Sequence, residues 1–295
     1  MIVTDALRAA FEIGQHPLRF AGSECTILDG VALETISFET AAGEPVRGLL
    51  TRPAGSGRHP AILYIHAHGG RYGIGASELL DSRPALQGAL GPVLARMGYG
   101  ALSIDLPCFG QRANTAESAQ AKALLWRGRS LAGQMLSELS SALDWLASRP
   151  DIDDGRIGAF GISMGATFGY WLAAVEPRIA CLVHQCCYAD LDALIETGAH
   201  DLHGIYLTIP GLLDIASNGT IAGLIAPRPQ LACIGDLDPL TPPAAVDKAL
   251  AETLAAYEAA GASENFSLCR EPAIGHQESP AMRAATLDFF RRHLG

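Results

Sequence analysis

The pentapeptide Gly-Ile-Ser-Met-Gly at positions 161–165 places a serine between two glycines. It directly follows the apolar run 157–160 and directly precedes a helical segment, 166–174. A strand, G-x-S-x-G and a helix in this order form a nucleophile elbow, a turn so tight that the serine needs small neighbours. The turn lifts the hydroxyl above the sheet, at the positive end of the following helix. The sequence therefore predicts that Ser163 is a catalytic nucleophile.

A nucleophilic serine needs a base that removes its proton and a carboxylate that orients the base. With an elbow of this kind, the acid and then the histidine follow along the chain, each in a loop after a strand. The loop after the apolar run 231–234 contains Asp236 and Asp238. We favour Asp238, which lies deeper in the loop and is followed by a proline, while Asp236 is the alternative and suits the turn itself. His276 follows the last predicted strand and is the expected base.

The tetrahedral intermediate of acyl transfer needs two backbone N–H donors for its oxyanion. One is expected from Met164, the residue after the nucleophile. The other is expected from the loop 66–72, which follows the apolar run 61–65 and reads His-Ala-His-Gly-Gly-Arg-Tyr. Glycines let a backbone approach a ligand closely. Gly70 and Arg71 are both candidates for the second donor, and the sequence does not choose between them.

The pair His66 and His68 also resembles the start of a metallohydrolase H-x-H-x-D-H motif. Gly70 and Arg71 stand where that motif needs its aspartate and second histidine. We therefore expect no metal site here, and no cofactor elsewhere in the chain.

Strands and helices alternate along the chain in the order that brings these loops to one edge of a sheet. Two alternating segments, 34–39 and 46–51, joined by a turn at 41–45, predict an antiparallel edge. Continuous apolar runs predict strands buried on both faces, and periodic segments predict the helices between them. The predicted strands are 61–65, 100–104, 156–160, 178–184, 229–235 and 266–268, and the predicted helices 84–97, 130–148, 241–260 and 280–294. This pattern predicts an α/β protein with a mostly parallel, doubly wound sheet.

We expect one domain over residues 1–295, beginning with a helical extension at 1–30. Residues 187–224 break the alternation, because they are aromatic, contain histidines and are punctuated by proline and glycine. An insertion at this point of the chain would lie over the carboxyl ends of the strands. We therefore predict a small cap-like insertion over the site.

Composition excludes several classes of protein. Hydrophobic residues make up 49% and charged residues 18% of the chain, so a core can form and extended disorder is excluded. The net charge of −10 would repel the phosphates of nucleic acid. Apolar runs are too short to span a bilayer, and residues 1–15 lack the apolar region of a secretory signal. We expect a cytoplasmic protein with neither nucleic acid nor membrane as a partner.

Seven cysteines are scattered along the chain, an odd number that predicts reduced thiols rather than a disulfide framework. Most lie in or beside apolar runs, where cysteine behaves as a small hydrophobic residue. The adjacent pair Cys186 and Cys187 leaves a redox or metal role as the minor alternative.

Together these segments resemble the α/β-hydrolase superfamily, and within it the serine esterases similar to dienelactone hydrolases and acetyl xylan esterases. The resemblance rests on the motifs at 66–70, 105–110, 153–165, 235–242 and 275–276, which occur in the matching order. It implies an eight-stranded sheet and a triad of Ser163, His276 and Asp238. Dienelactone hydrolases themselves use a cysteine nucleophile, so Ser163 favours ordinary ester hydrolysis. Cys108 departs from the glycine that related sequences often have there.

The expected function is hydrolysis of a small or short-acyl ester, such as an acetylated one, through an acyl-enzyme. Thioesterase, amidase or peptidase, C–C bond hydrolase and non-catalytic ligand binder are the alternatives, and a homo-oligomer is left open. We expect Arg71 to pair with Glu78 or Asp81 rather than with a substrate carboxylate. The residues expected to line the substrate pocket are Tyr72, Glu78, Tyr188, His200, His203 and Tyr206.

Overall fold

The apolar runs form one nine-stranded sheet in the computed structural model, which describes residues 2–295. The strands are β1 (Leu18–Leu28), β2 (Val31–Thr40), β3 (Pro45–Pro53), β4 (His59–Ile65), β5 (Gly100–Ile104), β6 (Ile152–Ile162), β7 (Ile179–Gln185), β8 (Gln230–Gly235) and β9 (Phe266–Glu271). Their order across the sheet is β1-β2-β3-β5-β4-β6-β7-β8-β9. Pairing is antiparallel from β1 to β5 and parallel from β5 through β4 to β9. The predicted fold class is confirmed.

The sheet has one strand more than the eight that the resemblance implies. The added strand is β1, which lies in the region predicted as a helical extension; the helix there covers only Val3–Ala10. β1 is an edge strand, exposed along most of its length, and it pairs with β2 along its whole length. Its sequence therefore carries no apolar alternation, because its main-chain hydrogen bonds rather than side-chain burial hold it in place.

Helices cover both faces of the sheet, as a doubly wound fold requires. They are α1 (Val3–Ala10), α2 (Glu78–Asp81), α3 (Gly91–Arg96), α4 (Glu117–Leu125), α5 (Leu131–Ser148), α6 (Met164–Val175), α7 (Leu191–Thr197), α8 (Leu212–Ile215), α9 (Asn218–Gly223), α10 (Pro243–Ala259) and α11 (Pro280–Leu294). One apolar cluster joins α1, α5 and α6 to one face of the sheet. A second joins α3 and α11 to the other face.

The predicted helix ends agree best with the structure where a capping residue marks the start of the helix. The hydroxyl of Ser130 accepts a hydrogen bond from the N–H of Gly133 at the start of α5. Ser279 caps α11 in the same way through Met282. The predicted helix 84–97 is wrong in its first half, because residues 84–90 form turns and only Gly91–Arg96 is helical.

Between β7 and β8 the chain forms the three short helices α7, α8 and α9, with 3-10 turns at Ala199–Leu202 and Ile205–Leu207. α9 is attached to the main body, since the Asn218 side chain accepts a hydrogen bond from Trp171 Nε1 of α6. No helix within residues 2–295 is long and apolar enough to cross a membrane.

Candidate active site

Ser163 occupies the turn between β6 and α6 with a positive φ of 58° and ψ of −122°. A non-glycine residue pays strain energy for this conformation, of order 1–3 kcal/mol, and keeps it only where the surroundings enforce it. Here the serine N–H donates a hydrogen bond of 2.9 Å to the carbonyl of Gln185 at the end of β7. The serine is 7% exposed. The predicted elbow is therefore present as a strained, well-anchored turn.

The two glycines of the pentapeptide are required by close backbone contacts. A Cβ atom on Gly161 would lie 2.0 Å from the carbonyl oxygen of Gly165, across the turn. A Cβ atom on Gly165 would lie 2.0 Å from the carbonyl oxygen of Ile65, the last residue of β4. The elbow thus packs directly against the strand that leads into the loop 66–72.

The structure brings the three residues predicted as a triad into one hydrogen-bonded chain. His276 Nε2 lies 2.8 Å from Ser163 Oγ, and His276 Nδ1 lies 2.6 Å from Asp238 Oδ2. An ionised carboxylate can only accept hydrogen bonds, so Nδ1 carries the ring proton and Nε2 is free to accept one from the serine. Asp238 is 2% exposed, and its other oxygen accepts a hydrogen bond from the N–H of Leu240.

Asp236, the alternative acid, takes no part in the hydrogen bonds that join Ser163, His276 and Asp238. Its carboxylate accepts a hydrogen bond of 2.6 Å from Arg270 Nε on the neighbouring strand β9. Asp236 therefore forms an ion pair at the start of the loop, which agrees with its expected place in the turn rather than in the triad.

Of the three backbone N–H groups expected to be available for an oxyanion, only that of Met164 is free in the part of the chain that the structure describes. Met164 begins α6, and its N–H has no hydrogen-bond partner among residues 2–295. The Gly70 N–H, however, donates to His68 Nδ1 at 3.0 Å, and the Arg71 N–H donates to the His68 carbonyl at 3.0 Å. Both expected second donors are thus engaged inside the loop.

Of the remaining amides in that loop, the Ala67 N–H donates to the carboxylate of Glu78. Across the described part of the chain, the N–H groups of His68 and Gly69 have no partner. His68 or Gly69 therefore replaces Gly70 and Arg71 as the candidate donor. Sequence reasoning missed this because the imidazole of His68 folds back to accept from its own loop.

Glu78 does not line a substrate pocket, so its predicted binding role is wrong. It is fully buried, where it accepts a hydrogen bond of 2.9 Å from Tyr64 and forms an ion pair with Arg83. Burial raises the pKa of the Glu78 carboxyl, while Arg83 opposes that rise. Arg83 also donates to the Ala67 carbonyl at 3.1 Å, so the pair fixes the backbone of the loop 66–72.

The predicted pairing of Arg71 with Glu78 or Asp81 is also wrong. Arg71 is exposed and has no ion-pair partner within residues 2–295. Glu78 lies beneath the loop rather than beside it, and Arg83 already neutralises its charge.

Tyr188 is likewise a core residue rather than a pocket residue. It is fully buried, its hydroxyl lies 2.6 Å from Thr253 Oγ1, and its ring packs edge-on against Tyr170 and His184. A tyrosine directly after β7 faces the interior because α10 covers that side of the sheet. The predicted substrate contact is therefore wrong.

The other four predicted binding residues lie around two clefts. Tyr72 lines a cleft of about 460 Å³ together with His68 and Glu117, and buried Tyr206 stacks on His68 with ring centroids 5.0 Å apart. His200 and His203 line a second cleft of about 450 Å³. Gly204 and Ile205 line both clefts, so the segment after β7 separates them.

His203 also reaches the loop that carries the candidate acid. Its Nε2 lies 3.0 Å from the carbonyl of Leu240, two residues beyond Asp238. Burial lowers the pKa of the His203 imidazole, so the neutral ring donates this hydrogen bond.

Two buried glutamates were missed in the sequence. Glu117, at the start of α4, accepts hydrogen bonds from His68 Nε2 and the Tyr72 hydroxyl at 2.6 and 2.7 Å. Its other oxygen accepts from the N–H of Tyr206 at 3.1 Å. α4 has no clear apolar face, so nothing in the sequence marked Glu117.

Glu278 lies two residues after His276 and is 1% exposed. Its carboxylate accepts hydrogen bonds from Arg283, at 2.7 and 2.8 Å, and from the Gln185 side chain at 3.3 Å. The carbonyl of Gln185 anchors the N–H of Ser163, so Glu278 connects the histidine loop to the elbow. Its closeness to His276 in sequence was the available signal.

Cys108 and Cys187 are not alternative nucleophiles to Ser163. All seven are free thiols. Burial raises the pKa of Cys187 to about 12 and that of Cys108 to about 11, so both stay protonated. Among residues 2–295, no three His, Cys, Asp or Glu side chains are grouped so that they could hold a metal ion.

A mostly parallel sheet, an elbow serine after its central strand, and an acid and a histidine after its last two strands define an α/β-hydrolase. Residues 46–217, more than half of the chain, match the X-Pro dipeptidyl-peptidase (S15) family. The chain belongs to this family.

The hydrolase-like protein YtaP of Bacillus subtilis (strain 168) is 36% identical over 283 residues, 96% of this chain and 93% of YtaP. Solved structures of similar fold include the acetyl xylan esterase of Paenibacillus sp. R4, with a TM-score of 0.71 and 19% identity, covering 99% of this chain and 93% of that one. Acetyl xylan esterase 1 of Thermoanaerobacterium sp. JW/SL YS485 has a TM-score of 0.70 and 15% identity, covering 99% and 94%. At these identities the structures establish the fold, and the protein is a hydrolase of the α/β-hydrolase class.

Proposed function

We propose that the protein is a serine carboxylic-ester hydrolase in which Ser163, His276 and Asp238 form the catalytic triad. The observation that carries this proposal is the hydrogen-bonded chain from Ser163 Oγ through both nitrogens of His276 to the buried carboxylate of Asp238. This arrangement makes the hydroxyl a nucleophile at neutral pH, since the base is oriented and its charged form is stabilised.

In the first half of the reaction, Ser163 Oγ attacks the ester carbonyl while His276 Nε2 takes its proton. Asp238 stabilises the imidazolium that forms. His276 then gives the proton to the departing alcohol, which leaves an acyl group on Ser163. Water, deprotonated by His276, attacks this acyl-enzyme and releases the acid.

The oxyanion would be held by the N–H groups of Met164 and His68. Both are unpaired within the described part of the chain, and they flank the contact of the elbow with β4. Each such donor contributes about 2.7–4 kcal/mol of transition-state stabilisation in known enzymes. The Glu78–Arg83 pair beneath the loop would hold the His68 backbone in place.

The substrate would be a small ester with a short acyl group. Ser163 is almost fully buried, and the two clefts described above, which no triad residue lines, are each below 500 Å³. Residues 187–224 would act as a cap, since His203 contacts the acid loop and the Tyr206 backbone contacts Glu117.

Family membership supports a second candidate, a peptidase that removes X-Pro dipeptides. Such an enzyme must bind the free amino terminus of a peptide, which calls for a carboxylate with uncommitted oxygens. The carboxylate that lines the first cleft, Glu117, is already bonded to three groups of the protein. Asp201, which lines the second cleft, is exposed and is the carboxylate left for such an amino terminus, so rates on an X-Pro nitroanilide and on nitrophenyl acetate distinguish the two.

Replacing the nucleophile tests the proposal. Ser163→Ala should abolish hydrolysis of nitrophenyl acetate and leave the fold intact by circular dichroism. A fluorophosphonate should label the wild-type protein on the peptide that contains Ser163. Ser56→Ala, in an exposed loop, is the matched control and should behave as the wild type. Full activity in Ser163→Ala, or equal labelling of it, would refute the assignment.

A further inference from the structure

The cleft beside His68 has a composition that limits what it can bind. We call it the Tyr72 cleft; its volume is about 460 Å³. Tyr72 is its exposed aromatic side chain, at 38%. The lining residues are His68, Tyr72, Ala113, Thr115, Ala116, Glu117, Ser118, Gly204 and Ile205.

The strongest polar groups of the Tyr72 cleft are occupied by one another. Glu117 accepts hydrogen bonds from the side chains of His68 and Tyr72 and from the backbone of Tyr206. The second nitrogen of His68 accepts from the N–H of Gly70. A ligand therefore meets mainly carbon surface, with the hydroxyls of Thr115 and Ser118 as the side chains left to pair with it.

Aromatic packing makes one wall of the cleft flat and rigid. The Tyr72 ring stacks on Phe109, with centroids 5.2 Å apart and an angle of 29° between the planes. His68 meets the Tyr72 ring edge-on at 5.1 Å and stacks on Tyr206. A fixed aromatic face favours a second ring in stacked or edge contact.

The cleft is also unsuited to anions. Glu117 is its only charged lining residue, and no lysine or arginine lines it. Although burial opposes ionisation, the hydrogen bonds from His68 and Tyr72 lower the pKa of the Glu117 carboxyl. The cleft therefore carries a negative charge at neutral pH, which repels a carboxylate on the ligand.

We infer that the Tyr72 cleft binds an uncharged aromatic or alicyclic ring of the ester substrate. This inference rests on the proposed function, because the link to the reaction is His68. Its backbone N–H is the proposed oxyanion donor, and its imidazole lines the cleft beside Tyr72. A sugar ring fits less well, since its several hydroxyls would find only two side-chain hydroxyls as partners, and unpaired buried hydroxyls cost binding energy.

The test compares four acetate esters: benzyl acetate, ethyl acetate, an acetylated methyl xyloside and 4-(acetoxymethyl)benzoate. Values of kcat/KM are measured for the wild type, Tyr72→Ala and Tyr72→Phe. Trp126→Ala is the control, because Trp126 is 92% exposed and lines none of the clefts around the site. Taking the ratio of variant to wild type for each ester cancels the intrinsic reactivity of that ester.

Tyr72→Ala should lower kcat/KM for benzyl acetate about tenfold, through KM, and change ethyl acetate less than about twofold. Tyr72→Phe keeps the ring and should retain most of the benzyl acetate rate. The wild type should prefer benzyl acetate to its carboxylate analogue by about tenfold, and to the xyloside.

Two failures would be distinguishable. If no ester is hydrolysed and Ser163 is not labelled by a fluorophosphonate, the proposed function itself is refuted. If Ser163 is labelled and ethyl acetate is hydrolysed, but Tyr72→Ala affects benzyl and ethyl acetate equally, the ring site is refuted. A wild-type preference for the xyloside over benzyl acetate also refutes it.

Discussion

Gly165→Ala tests whether contact between the elbow and β4 builds the site. Gly165 is the second residue of α6, and a Cβ atom there would lie 2.0 Å from the Ile65 carbonyl oxygen and 3.1 Å from that of His66. Both obstacles are backbone, which cannot rotate away as a side chain can. The added methyl group must therefore push α6 and the end of β4 apart by at least about 1 Å to relieve the overlap.

The expected size of the effect follows from two opposing contributions. Overpacking against a fixed neighbour costs about 1–3 kcal/mol, and a backbone obstacle places this site near the upper value. Alanine in place of a helical glycine returns about 1 kcal/mol. We therefore expect Gly165→Ala to lower the free energy of unfolding by about 2 kcal/mol. Because Met164 and His68 lie on opposite sides of this contact, kcat/KM should fall about 100-fold, as is typical for a misplacement of 1 Å.

Gly169→Ala is the matched control in the same helix. Its Cβ atom would meet only the Cδ1 atom of Leu182, at 3.2 Å, and that side chain can adjust. Stability should stay within about 1 kcal/mol of the wild type, with unchanged activity. Urea midpoints at constant m-value and initial rates on nitrophenyl acetate measure both properties. If Gly165→Ala matched Gly169→Ala in stability and in rate, contact with β4 would not be what shapes the elbow.

Three further predictions, two of them with a control variant, concern the acid, the histidine loop and a buried histidine on β7. Asp238→Asn should lower kcat about 10⁴-fold, because the amide favours the wrong tautomer of the His276 imidazole. Asp236→Asn should keep kcat within a few fold of the wild type. Equal losses of kcat in the two variants would contradict the choice of acid. Glu278→Gln should destabilise the protein by about 1–3 kcal/mol, because it weakens the pair with the partly exposed Arg283, and should also reduce kcat. Glu34→Gln, on β2, weakens the bidentate pair with Arg149, which Asp151 also binds, so it should lose less stability and leave kcat unchanged. Parallel losses of kcat in both variants would show a purely structural effect. Burial lowers the pKa of His184 in the folded protein to about 3. Below a pH of about 6.5 the unfolded chain binds a proton at this histidine and the folded protein does not, so the free energy of unfolding falls as the pH drops towards 3, by about 1.4 kcal/mol per pH unit. His184→Phe should flatten that slope in urea titrations between pH 6 and 4, and an unchanged slope would assign it to other groups.

The fold class could be predicted because the buried strands and the long helices are encoded locally. Buried parallel strands appear as unbroken apolar runs, and β1 was missed because an exposed edge strand has no such run. The residues proposed as the triad could be found for a related reason. Ser163, Asp238 and His276 each follow a strand, and parallel strands bring their carboxyl ends to one edge whatever the loops do in detail.

Tertiary structure alone decided which neighbouring groups contact one another. Glu117 bonds to His68 across 49 positions of the chain, and that pairing depends on how α4 packs against the loop 66–72. The same packing turns His68 inward to occupy the N–H of Gly70, which transfers the candidate oxyanion donor to another residue. Side chains such as Tyr188 and Glu78 carry no local signal that separates a pocket wall from a buried support. The sequence by itself determined the candidate nucleophile, acid and base and their order along the chain. Packing between distant segments determined which backbone amides and carboxylates remain free to bind a substrate.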